Sequence, residues 1–203
     1  MRLKGNAMMS EPSYLRRSKI AALVTSAALS LTMLPTGMER AMADPTVTRR
    51  VLQVEHVKIE TAKKFVEVEA ALEGSVPQLD PAIREALANG DEQRATDLER
   101  GAPLFIFLKR DHGSLLQVVG RPRKALQYEI GNPHTASKMT RHRLPAGLYA
   151  PLRVFLYEDE KGGSIFEYDK PSSLFGQFDD EQVSAVARGL DAALERALRR
   201  AAE

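Results

Sequence analysis

From Val51 onward, apolar residues recur with two periods along the chain. "VLQVEHVKI", Val51 to Ile59, has β-branched residues in partial alternation and predicts a strand. The following "AKKFVEVEAALEG" carries Phe65, Val68 (or, in the other register, Glu69), Ala71 and Leu72 at helical spacing, with Thr61 as the expected cap and Gly74 as the stop. Asp80-Pro81 pairs an N-cap acid with proline at the first helical position and starts a second helix, "AIREALANG". "DEQRATDLERG" then reads as a charged, solvated helix ending at Gly101. Leu104 to Leu108, "LFIFL", is uninterrupted and predicts a strand covered on both faces. "GSLLQVV" fits a helix ended by Gly120, and Ala125 to Ile130 is a further strand leading into Gly131-Asn132-Pro133. Leu152 to Glu158 and Ser164 to Tyr168 flank "DEKGG" as a β-hairpin. From Asp180 to Glu203, Val183, Val186, Ala187, Leu190, Leu194, Ala197, Leu198 and Ala201 fall on one helical stripe. The expected fold is α+β: an antiparallel or mixed sheet of about five strands with helices packed on it, and a terminal hairpin followed by a long amphipathic helix.

The first 43 residues follow a different pattern. Arg16, Arg17 and Lys19 precede the uncharged run "IAALVTSAALSLTML", after which come Pro35, Gly37 and the triplet Ala41-Met42-Ala43. That order is the order of a secretory signal peptide, with cleavage expected before Asp44. The domain reading is therefore a signal peptide over 1–43 and one α+β domain over 44–203, exported to the periplasm or the extracellular space, with no stable membrane insertion after cleavage. Of the 29 Lys/Arg, six lie in the leader, as do two of the 27 Asp/Glu, leaving 23 basic against 25 acidic residues. The basicity of the whole chain thus belongs to the leader. With aromatics at 6%, the expectation is that no nucleic acid is bound. A cysteine count of 0 excludes disulfides, thiol catalysis and thiolate metal sites.

Candidate chemistry gathers at two corners. At the first, Asn132 before Pro133 is a predicted N-cap of a helix running to about His142. His134, Lys138, Arg141 and His142 would then share one side of that helix, with Thr135, Ala136 and Met139 facing the core. Two readings stay open. Either the N-H groups and basic side chains around Gly131, Asn132, His134 and Arg141 receive an anionic group, or the cations complement the helix's own C-terminal end and face water. At the second corner Asp111 and His112 are the candidate acid-base pair, though capping by Asp111 also explains them. His134 and His142, separated by about 12 Å along a helix, cannot share one ion, and neither a metal nor a cofactor is expected. Ser114 has no G-x-S-x-G elbow around it.

The succession "RDHGSLL…G…YEIGNP…M…LYAPLRVFLYEDEKGGSIFEYDKPSSL" resembles the bacterial and archaeal family called domain of unknown function 302. Its features fall on Asp111, His112, Gly131, Asn132, Pro133, Met139, Pro151, Leu152, Tyr168 and Pro171, within a family-like region of about 51–175. Pro77 to Ala102 reads as an inserted helical pair within it. The resemblance implies a compact α+β domain that pairs as a homodimer, and brings no established activity. The expected function is a binding module for a small anionic or polar ligand. The alternatives are an enzyme using His112 as general acid or base, and a purely structural homodimer.

Overall fold

The structure, a computed structural model, describes residues 44–203, of which Thr48–Glu203 form one compact unit. The signal-peptide reading of residues 1–43 lies outside the described residues. Five strands, β1 His56–Thr61, β2 Phe105–Asp111, β3 Ala125–Gly131, β4 Leu152–Glu158 and β5 Ser164–Asp169, form a sheet in the order β1-β5-β4-β3-β2. Every neighbouring pair is antiparallel.

Alternation along the central strands gives the sheet two unlike faces. Leu126, Tyr128 and Ile130 of β3, Leu152, Val154 and Leu156 of β4, and Phe166 and Tyr168 of β5 are buried in one cluster. Register aligns them: Tyr128 lies opposite Val154, Val154 opposite Tyr168, and Tyr168 opposite Val57. Over this face pack α1 (Phe65–Ser75) and α6 (Glu181–Ala202). Helix α6 is begun by Asp180, whose carboxylate accepts from the N–H groups of Gln182 and Val183. It buries Val183, Ala187, Leu190, Leu194, Leu198 and Ala201, the predicted stripe. Burying each of those leucines contributes roughly 1.5–3 kcal/mol.

The intervening residues make a second, polar face. Here Arg153 lies opposite Glu129, Lys58 opposite Glu167 and His56 opposite Asp169. His56 Nδ1 sits 3.0 Å from Asp169 and Nε2 3.3 Å from Glu167, while the Tyr157 hydroxyl donates to Glu167 at 2.6 Å. The Asp169 hydrogen bond holds the His56 imidazole above its ordinary pKa, against burial and with help from Glu167.

Three boundaries differ from expectation for physical reasons. The first strand starts at His56, because β5 ends at Asp169 and Val51, 98% exposed, has no strand beside it among the described residues. Helix α1 starts at Phe65 rather than at a Thr61 cap; Thr61 belongs to β1, and its hydroxyl donates to the Ala202 carbonyl. "LFIFL" is covered on both faces only at its start. Phe105 meets Ile83, Ala86 and Ala95 of α2 (Pro81–Ala88) and α3 (Glu92–Glu99), while Leu108 is exposed and the strand continues to Asp111.

Candidate functional site

At the end of β3 the chain turns through Gly131 and Asn132 into α4, Pro133–Thr140. The Asn132 side chain accepts from the Thr135 N–H at 3.0 Å, which is the predicted cap and accounts for a buried amide. Beneath this corner lies a cavity of about 260 Å³. Its walls are the corner itself, Phe107 of β2, the inward side of α4 (Thr135, Ala136, Met139, Thr140), and Ala150 to Leu152. Phe175 of α5 (Pro171–Phe175) and Leu190 of α6 close it.

Most of these lining groups are apolar. Two of the hydroxyls are already donating within α4, Ser137 to the His134 carbonyl at 2.7 Å and Thr140 to the Ser137 carbonyl at 3.5 Å. Their oxygens keep lone pairs free, while the Thr135 hydroxyl and the Asn132 side-chain NH2 donate to no group among the described residues, so the lining holds both acceptors and donors in an apolar surround. Such a lining suits a mostly apolar molecule bearing one small polar group.

The sequence-derived residues separate into three groups. Gly131 and Asn132 line the cavity. His134 and Arg141 do not, and the expected basic ridge is broken. His134 is turned inward, 6% exposed, with Nε2 at 2.8 Å from Glu92 and Nδ1 at 3.5 Å from Glu99, a separation too long for a good hydrogen bond. The hydrogen bond from His134 holds the Glu92 carboxyl below its ordinary value. The inversion has a long-range cause: α3 packs beside α4 and supplies the two acids that make burial of the imidazole tolerable. The "solvated" helix is therefore solvated on one side only. Arg141 is exposed, and its Nε donates to the Ser137 carbonyl of its own helix, the arrangement that needs no ligand.

Asp111 and His112 form the third group. They sit where β2 meets the start of β3, so the length of β3, roughly 20 Å of extended chain, separates them from Gly131. The Asp111 carboxylate accepts from the Ser114 N–H at 2.9 Å. The His112 ring meets Phe155 edge-on at 5.7 Å, and its Nε2 is buried without a hydrogen-bond partner. The two corners do not converge on one hollow.

Sequence reasoning missed Phe107, Ala136, Phe175 and Leu190 as cavity residues, since each reads locally as core. It also missed a cluster between α1 and the sheet. Lys109 pairs with Glu69 and, at 2.6 Å, with Glu73, which accepts the Tyr128 hydroxyl at 2.8 Å. Burial works to raise Glu73, but the hydrogen bonds from Lys109 and Tyr128 outweigh it and hold the carboxyl below its ordinary value. Burial, with the Glu73 bond behind it, pushes the Tyr128 phenol far up. Among the described residues no three His, Cys, Asp or Glu are grouped to hold a metal ion.

These features define an α+β domain with one helix-covered and one open face of an antiparallel sheet. Residues 93–201 match the family described as Domain of unknown function DUF302, and the chain belongs to that family. The match starts inside α3 and runs through α6, later at both ends than the region read from sequence. Among solved structures, the crystal structure of the uncharacterized conserved protein DUF302 from Bacillus stearothermophilus is similar. It is 18% identical, with a TM-score of 0.52, over 72% of this chain and 97% of that one, a likeness of fold. No curated protein matches the chain.

Proposed function

We propose that this protein is an exported binding module, periplasmic or extracellular, whose ligand occupies the cavity beside Gly131 and Asn132. The observation that carries the reading is the cavity itself: about 260 Å³, mostly apolar, with hydroxyl oxygens of α4 at its wall. A space of that size takes a compact molecule of roughly ten heavy atoms. The lining narrows the chemistry expected from sequence to a mostly apolar body bearing one small polar group. Acid-base catalysis by His112 has less behind it, because Asp111 is engaged by Ser114 and the imidazole faces Phe155.

Thermal-shift titration with phenol and indole, against inorganic phosphate, tests the reading. At a hundred times Kd a cavity ligand adds about 2.7 kcal/mol, which in a domain of this size raises Tm by roughly 5–11 °C. Ala136→Leu, which extends a cavity-wall side chain into the space, should abolish the response, whereas Arg141→Ala should leave it intact. Equal responses in wild type and Ala136→Leu would remove the cavity as the site. A phosphate response lost in Arg141→Ala would restore the anionic reading.

A further inference from the structure

Far from the cavity, at the other end of the sheet, β2 and β3 are joined by the 3-10 turn Ser114–Val119, which buries none of its residues. Val118 is 88% exposed, Leu115 65% and Val119 63%, with Leu116 partly so. A turn that shows four large apolar side chains to water needs an explanation, since apolar surface is normally folded away.

The turn is built to hold this shape. Its legs are pinched together by the N–H groups of His112 and Gly113, both donating to the Ala125 carbonyl, at 3.0 and 2.9 Å. A Cβ on Gly113 would lie 1.8 Å from the Arg123 carbonyl oxygen, so only glycine permits the approach. Asp111 caps the first residue, and the Arg121 N–H closes back on the Leu116 carbonyl at 3.2 Å. Presentation of the apolar apex is thus fixed by its base.

Below the apex stand Arg121, Arg123 and Lys124, all exposed. Arg121 has no ion pair among the described residues. The nearby acids are largely engaged: Glu158 by Lys124 at 2.7 Å, Asp159 by the N–H groups of Lys161 and Gly163, and Asp111 by Ser114. Glu160 is left outward-facing in the β4–β5 turn.

We propose that this turn docks the protein reversibly on an anionic lipid surface, with Leu115, Val118 and Val119 entering the headgroup-acyl boundary and Arg121 and Arg123 lying among the headgroup phosphates. Apolar insertion with a cationic collar is the chemistry of interfacial attachment. A protein partner fits less well. A stable interface buries upwards of about 1,000 Å², far more than one six-residue turn supplies, and its centre is poor in charge. The inference is independent of the cavity reading.

Because the chain contains 0 cysteines, a Val118→Cys variant carries a single thiol for an environment-sensitive dye. An Ala88→Cys variant on α2 serves as the distant control. In the chain from Asp44 onward, which holds the whole compact unit, mixed with phosphatidylcholine vesicles containing phosphatidylglycerol, the dye at 118 should blue-shift and brighten, with less change on phosphatidylcholine alone and none at 88. Adding Leu115→Ser and Val119→Ser should weaken the 118 response at least about tenfold. Arg121→Glu should weaken binding to the anionic vesicles specifically. These positions are exposed, and unchanged far-ultraviolet circular dichroism confirms that the fold is kept. No change at 118, or an equal change at 88, overturns the proposal. So does a change at 118 that follows protein concentration without lipid, which would mark a protein contact.

Discussion

Removal of the His134 imidazole offers the sharpest test of how the Gly-Asn-Pro corner is supported. In His134→Ala the ring, 6% exposed, leaves a gap between α3 and α4, and its lost apolar area costs about 1–2 kcal/mol. Glu99, whose Oε1 is buried without a hydrogen bond, also loses the imidazole nitrogen 3.5 Å away, adding about 1 kcal/mol. The pair with Glu92 is solvent-screened and adds little. The total, roughly 2–3 kcal/mol, should appear as a lower urea midpoint at unchanged slope and a Tm about 5–10 °C lower. A double-mutant cycle with Glu99→Gln should show coupling above about 0.5 kcal/mol. A His134→Ala protein within about 0.5 kcal/mol of wild type would refute the view that His134 pins α4 to α3. Ligand binding in the cavity should survive the substitution, because His134 is not part of its wall.

Two further outcomes follow from close contacts and charge. Gly113→Ala should cost about 1–3 kcal/mol, because the base of the 114–119 turn must open, whereas Gly176→Ala, with nothing within 4 Å of the added carbon, should be neutral or slightly stabilising by melting temperature. Glu73, Glu92 and Glu167 all have folded-state carboxyls below the ordinary 4.5, so their contribution to stability is present above that value and is lost as pH falls through the depressed folded values. Urea midpoints measured from neutral to acid pH should fall in that window, less steeply in Glu73→Gln; an unchanged acid limb in that variant would contradict the linkage.

Elements with strong local periodicity were legible from the chain. The α6 stripe buries as its spacing requires, and Asp80-Pro81 and Asn132-Pro133 start helices because capping and proline geometry are decided within a few residues. His134 was not legible. On a helical wheel it belongs with Lys138, Arg141 and His142, and only the distant Glu92 and Glu99 turn it inward. The cavity was hidden for a similar reason, since its wall is drawn from β2, the corner, α4, Ala150 to Leu152, α5 and α6. The turn after β2 is helical and ends at Gly120 as its residues suggest, but its exposure was not legible, since sequence cannot show that no element among the described residues lies above it.

The segment leading into α2 lies along the outer side of β2, where Ile106 donates to the Pro77 carbonyl and Leu79 donates to the Ile106 carbonyl, both at 2.9 Å. At that margin the chain's own backbone therefore occupies the outward groups of Ile106, a single bridge at the start of β2. On the opposite margin β1 exposes His56, Lys58 and Glu60. A strand adding along β2 would first have to displace that bridge, so the start of this margin resists edge-to-edge pairing while the charged side chains of β1 discourage it at the other.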